Sequence, residues 1–150
     1  MEEIDMKYDD EQESKTISID DDKVKDRWSR YIGAMGLDAV AKQANSWIFL
    51  NGLGGAGIEI AKNIVLAGCK EISINDTAIT TEIDMSDNFF IQKEDLGKNR
   101  AEVCKKKLQQ LNLYVKVSIT AEDIKDPEIY KWLELEKFDV VVVTETLATT

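Results

Sequence analysis

The chain has 150 residues, 19 of them basic and 29 acidic, for a formal net charge of -10, and 43% of them are hydrophobic; that length suits one domain, or part of one, with a real core. An acidic surface without a compensating basic patch excludes nucleic acid and anionic membranes as partners, and the absence of histidine removes Ser-His and Cys-His dyads along with the commonest metal ligand. Cys69 and Cys104 match neither a disulfide framework nor a zinc spacing, no signal peptide is recognisable, and the apolar runs fall short of the ~18–20 residues a membrane span needs, so an intracellular, reducing setting is expected.

Residues 1–25 read as an acidic leader. Through Asp26, eleven acids stand against four lysines. Such a segment cannot bury enough apolar surface to order itself and most of it is expected to be disordered, although residues 16–19 could pair as a strand. Residues 26–150 read as the domain proper. Asp26-Arg27-Trp28-Ser29-Arg30-Tyr31 opens it with two arginines and two aromatics. Trp28 and Tyr31 are expected to anchor a short helix, with Leu37, Val40 and Ala41 on it, against a sheet. Exposed arginines are ordinarily solvated.

Residues 47–76 organise the rest. Trp47-Ile48-Phe49-Leu50 is a short apolar strand, followed at once by Gly52-Leu53-Gly54-Gly55-Ala56-Gly57. Ile58, Ile60, Ala61, Ile64, Val65 and Ala67 recur at helical spacing, Gly68 closes the helix, and residues 71–75 alternate as a second strand ending at Asp76. This is a βαβ unit of roughly 30 residues with a G-x-G-x-x-G turn. Gly52 permits the tight exit from the strand, Gly54 removes a side chain where a phosphate would approach, and Gly57 lets helix and strand pack closely. The helix start offers free N–H groups and a positive dipole end to an anion. Asp76 sits about 20 residues on, where an acid would bind a ribose hydroxyl; the plainer alternative is that the glycines only turn the chain and Asp76 only caps a loop.

Residues 77–97 lack a clear period. They are acidic through Asp84, Asp87, Glu94 and Asp95, with Phe89, Phe90 and Ile91 as an apolar anchor; a long irregular loop in a compact domain is usually functional or interfacial. Residues 98–112 predict an amphipathic helix with Ala101, Cys104, Leu108 and Leu111 on one face. That makes Cys104 a small core hydrophobe and Lys105, Lys106 and Lys107 a solvated charge run. Cys69 has no base near it in sequence. Residues 114–119 predict a third strand, Pro127 starts a helix carrying Ile129, Tyr130, Trp132 and Leu133, and residues 138–143 predict a fourth strand, apolar throughout as a covered parallel strand should be. Doubly wound topology gives the order third, second, first, fourth. The fourth strand then lies at an edge, and a long apolar edge is not normally left bare. The expectation is a fragment of a longer chain, or a partner over that edge.

Arg30, the glycine turn, Asp76 and Gly97-Lys98-Asn99-Arg100-Ala101-Glu102 together resemble the N-terminal, adenylation-like half of ubiquitin-activating (E1) enzymes, in the ThiF/MoeB superfamily, over about residues 26–147. Met85-Ser86-Asp87-Asn88-Phe89 is similar to the family's Leu-Ser-Ser-Gln/Asn-Phe, and this segment, with the valine strand ending in Thr-Glu-Thr, favours the ubiquitin type over the small subunit of a SUMO-type E1. The resemblance implies an α/β fold: a Rossmann-like (ThiF-type) parallel sheet of about four strands with helices on both faces, a fragment of a larger domain. In the family, one half adenylates the ubiquitin C-terminus with MgATP and the N-terminal half is a degenerate copy packed against it.

Set against an active copy, a phosphate-binding arginine is replaced by Asp87, an asparagine by Asp84, and a magnesium-binding aspartate by Thr146, while Arg100 keeps the charge of a lysine. A carboxylate ~4 Å from a phosphate costs about 1 kcal/mol in bulk water and several at a lower effective dielectric, and magnesium without its aspartate lacks a hard oxygen anchor. The resemblance therefore implies a vestigial nucleotide site at Gly52, Gly54, Gly57, Asp76 and Arg100, with no metal ligand and no cofactor held productively by this chain. MgATP belongs to the active half. Arg30 matches an arginine that reaches across the interface to the other half's ATP, although Tyr31 replaces the glutamine that follows it in the family. The implied partners are that active half, or a partner subunit, and ubiquitin or a ubiquitin-like protein, in a cytoplasmic or nuclear setting. The rivals are an active NAD- or ATP-binding Rossmann enzyme domain and an interaction module whose acidic leader recruits a basic partner.

Overall fold

The computed structural model describes residues 22–120 and 137–145. The leader's residues 16–19, the helix expected from Pro127 and position 146 lie outside them. Three helices lead in: α1 (Asp22–Arg27), α2 (Ser29–Met35) and α3 (Leu37–Ala44). The sequence predicted one short helix here; the structure has three, the first starting at Asp22. Asp22 in its first turn and Lys25 and Arg27 in its last match the signs of the helix dipole.

The sheet consists of β1 (Trp47–Asn51), β2 (Glu71–Asn75), β3 (Lys116–Ile119) and β4 (Val140–Val143), all parallel, in the order β3-β2-β1-β4. This is the expected order. Ile48, Leu50, Ile72, Ile74 and Val117 share one face, and α4 (Gly55–Ala67) and α6 (Arg100–Leu111), with the short α5 (Asp84–Asp87) between them in sequence, follow; α4 and α6 close over that face through Ile58, Ala61, Val65, Ala101, Cys104 and Leu108. Each fully buried Leu or Ile there contributes about 1.5–3 kcal/mol. The opposite face carries Phe49, whose ring lies 5.3 Å from Phe138, and Ser73 and Asn75. Ser73 and Asn75 both hydrogen-bond Thr120.

Gly68 ends α4 in the left-handed region (φ 90°), its N–H donating to the Ile64 carbonyl. A side chain at Gly68 would also strike the Trp28 ring. Trp28 is thus buried over the C-terminal end of α4, with Tyr114 edge-on at 6.4 Å. Tyr31, expected as a second anchor, is exposed. Tyr114 precedes β3 rather than beginning it, and its ring packs edge-on against Trp28.

The long connection at 77–97 is tied down at chosen points. Asn88, fully buried, donates to the Leu53 carbonyl and accepts from the Phe90 N–H. Phe90 and Ile91 are buried while Phe89 is exposed. Lys107 is no solvated lysine: its Nζ donates to the Phe90 carbonyl and sits 3.1 Å from Asp95, clasping the loop to α6. The edge strand β4 leaves Val140, Val141 and Val143 at 46%, 40% and 46% exposure. Beside it, Ile48, Ile64, Ala67, Cys69 and Val140 line an open groove of about 790 Å³. A strand apolar throughout was read as covered on both faces; at the edge, these valines are not.

Candidate functional site

Because all strands run parallel, their C-terminal ends form one rim, and the strand order reverses between β1 and β4. That crevice is where open α/β sheets bind ligands. The glycine turn leaves β1 there. Gly52 has φ +88° and its N–H donates to Asn75, extending the sheet by one bond. A Cβ on Gly57 would overlap the Gly52 carbonyl, so the turn and the first turn of α4 are in direct backbone contact. Leu53 is fully buried and satisfied at both ends of its peptide group: its N–H donates to Asp76 Oδ2 at 2.7 Å and its carbonyl accepts from Asn88 at 3.0 Å.

Asp76 is held inward, 6% exposed. Its Oδ2 accepts from Leu53 and from Arg100 Nε (2.7 Å), and its Oδ1 from the Ala78 N–H (2.9 Å). A carboxylate so engaged braces the glycine turn from beneath. Arg100 is the first residue of α6, placed there because Asn99 caps the helix by accepting from the Glu102 N–H. Its guanidinium meets three carboxylates: Nε to Asp76, Nη1 to Asp84 Oδ1 at 2.8 Å, and Nη2 to Glu145 Oε1. Burial disfavours the charge on Arg100, but the surrounding carboxylates more than offset it and hold it protonated. Burial likewise pushes the Asp84 carboxyl up, and hydrogen bonds from Thr81 and Arg100 outweigh it, leaving it below the ordinary carboxylate range. Asp87 lies against Gly55, its Cβ 3.1 Å from where a side chain there would begin.

The structure therefore brings together Gly52, Gly54, Gly57, Asp76 and Arg100, the residues singled out for a nucleotide site. Arg30 is not among them. It is exposed on α2, two residues from Trp28, which packs at the far end of α4. A 13-residue helix is ~20 Å long at 1.5 Å per residue, so Trp28, two residues before Arg30, packs about that far from the glycine turn. Asn88, Thr144 and Glu145 were not recognised as parts of the site from sequence; the Thr-Glu pair ending the valine strand was the available signal. Burial raises both thiols, Cys69 to about 12 and Cys104 to about 11, which makes them packing groups rather than nucleophiles. Among the described residues no set of three or more His, Cys, Asp or Glu forms a metal-holding group, and no helix is long and apolar enough to cross a membrane. The three carboxylates converge on a guanidinium instead. Chemically, the arrangement is an electrostatic clasp of one guanidinium and three carboxylates.

A sequence model of the ThiF family matches residues 28–144. Ubiquitin-like modifier-activating enzyme 6 of Mus musculus is 38% identical over 134 residues, covering 88% of this chain and 12% of that enzyme. Ubiquitin-like modifier-activating enzyme 1 of Homo sapiens is 38% identical over 120 residues, covering 79% of this chain and 11% of its own length. The chain thus spans about a tenth of these relatives. Among solved structures, the E. coli tRNA N6-threonylcarbamoyladenosine dehydratase in complex with AMP superposes with a TM-score of 0.75 at 19% identity, over 85% of this chain and 51% of that one. At that identity the likeness is one of fold.

Proposed function

The chain belongs to the ThiF family, and from that premise we propose that it is the degenerate adenylation half of a ubiquitin-activating type of enzyme. In this reading it binds no nucleotide productively; it packs against the active half and completes it during ATP-dependent activation of ubiquitin or a ubiquitin-like protein. The observation that carries the reading is the state of Arg100. Its three nitrogens are committed to Asp76, Asp84 and Glu145, and a further acid, Asp87, rests against Gly55. A polyphosphate brought to this turn would meet carboxylates where its counter-charges should be, at a cost of about 1 kcal/mol or more for each at ~4 Å. The donor set does not suit MgATP, and no chemical step is assigned to it here. The resemblance to modifier-activating enzymes of both curated relatives supports the class of partner.

Arg30 completes the proposal. Arg30 is exposed, two residues from Trp28, which packs at the end of α4 away from the glycine turn. It is free to reach a phosphate held by another half, where its planar fork suits developing charge.

Calorimetric titration of the chain with ATP plus magnesium, and separately with NAD, tests the first claim. No heat from either is expected. Micromolar, magnesium-dependent ATP binding would show a living site, and NAD binding alone would favour a dehydrogenase-like module. For Arg30, adenylate formation by the reassembled enzyme should fall on Arg30→Ala; an unchanged rate refutes the role in trans.

A further inference from the structure

Glu145 touches both the glycine turn and Arg100. The strand end that carries it is bolted to the turn: the Thr144 N–H and Oγ1 both donate to the Asn51 carbonyl at 3.0 Å, and Oγ1 also reaches the Gly52 carbonyl at 2.9 Å. One residue on, the Glu145 side chain folds back over the turn. Its Cγ lies 2.7 Å from where a Cβ on Gly52 would be, and its Oε1 3.1 Å from the same point on Gly54, where Arg100 Nη1 is 3.9 Å away. Oε1 accepts from Arg100 Nη2. A carboxylate therefore stands in the β1–β4 crevice, above the turn that leads into α4 and against a guanidinium. It stands over the turn, beside the helix start, and carries the charge a phosphate would bring there.

We propose that Glu145 is a built-in anion, an internal occupant of the phosphate position that closes the glycine turn to diffusing phosphates. The proposal rests on the reading of this chain as a nucleotide-silent half and supplies its cause. Tethering gives the carboxylate its advantage. It is already in place and loses no translational freedom, whereas a free phosphate must give up that freedom and displace it from Arg100. Two features argue that the placement is built rather than incidental. Thr144 is hydrogen-bonded to the turn through both its backbone and its side chain, and Gly52 and Gly54 have no side chain where the Glu145 chain passes. A side chain at Gly52 would collide with it, and one at Gly54 would press on its carboxylate.

The test is amide NMR of the isotopically labelled 150-residue chain, titrated with sodium pyrophosphate at constant ionic strength, for the natural sequence, Glu145→Gln and Glu145→Ala. The amide signals of Gly54, Gly55 and Ala56 are expected to stay still in the natural chain. In either variant they should shift saturably, at a midpoint roughly tenfold lower or better, as removal of one close charge allows. If neither variant binds more tightly and the natural chain is silent, Glu145 is not the occupant, and the silent-half reading survives alone. If the natural chain already binds pyrophosphate as tightly as the variants, both fall.

Discussion

The C-terminal rim of the sheet and the edge strand β4 meet at Thr144, yet they are opposite kinds of surface. The rim is polar and closed on itself. Arg100, Asp76 and Asn88 are buried, and among the described residues no buried side-chain nitrogen or oxygen lacks a partner. The edge is apolar, with three of its four valines 40% exposed or more and, among the described residues, no strand paired on its outer side. Among the described residues, the groups that would bind a small anion have already found one another, while the valines of the edge strand remain exposed. That contrast is why the proposed function is placed on packing against another half rather than on the nucleotide turn.

The comparison can be broken most severely at Arg100. Arg100→Met would strand the Asp76 carboxylate, whose side chain is 2% exposed, with only two backbone N–H donors. Removing one partner of a buried pair costs about 3–5 kcal/mol, read as a fall in the urea midpoint with the slope unchanged. Glu145→Gln, at the wetter end of the same cluster with its side chain 37% exposed, should cost less than about 1 kcal/mol. If the two variants cost the same, the rim is not the buried clasp described.

Next in size is a matched pair on the strands. Ile74→Ala, in the fully buried centre, should cost about 2–5 kcal/mol, and Val143→Thr, on the open edge, no more than about 0.5 kcal/mol. Val141→Lys sharpens the same contrast by another readout: a charged edge should lower self-association in sedimentation velocity if the bare strand drives any. Asn99→Ala should cost about 1 kcal/mol by removing the cap of α6.

The smallest effect is in pH. Asp84 and Asp95 both titrate below their ordinary value of 3.8 when folded. For Asp95, burial acts against the charge and is outweighed by the Gln92 N–H, Lys107 and Lys98. A depressed folded value means the contribution is complete above the unfolded value and is lost as pH falls through the folded one. Stability should therefore decline below about pH 4, and Asp84→Asn should flatten that decline. A natural chain equally stable on both sides of this range would remove Asp84 and Asp95 from the account.

Much of this was legible in the residues. The βαβ unit of 47–76 carries its own signals, alternation followed by glycines followed by helical spacing, and each signal acts within a few residues. Strand order followed from the handedness of parallel crossovers. The stretch at 77–97 shows no clear period in sequence, yet it holds a helical turn at Asp84–Asp87 and a 3-10 turn at Lys93–Asp95; how it is held was not legible either, because Asn88 reaches Leu53 across 35 positions and no local pattern encodes that. Lys107 looked like one of three solvated lysines for the same reason: its partner carbonyl belongs to another segment.

By itself, the sequence determined the family, the parallel α/β architecture and the position of the glycine turn, because periodicity, glycine conformational freedom and crossover handedness are local or chain-order properties. Only the tertiary structure decided what that turn faces. The charges of Asp76, Asp84, Arg100 and Glu145 come from four separate stretches, and whether a lone guanidinium awaits a phosphate or is already neutralised depends on distances of a few ångströms between them. Coulomb energy at that range is set by folding, not by spacing along the chain.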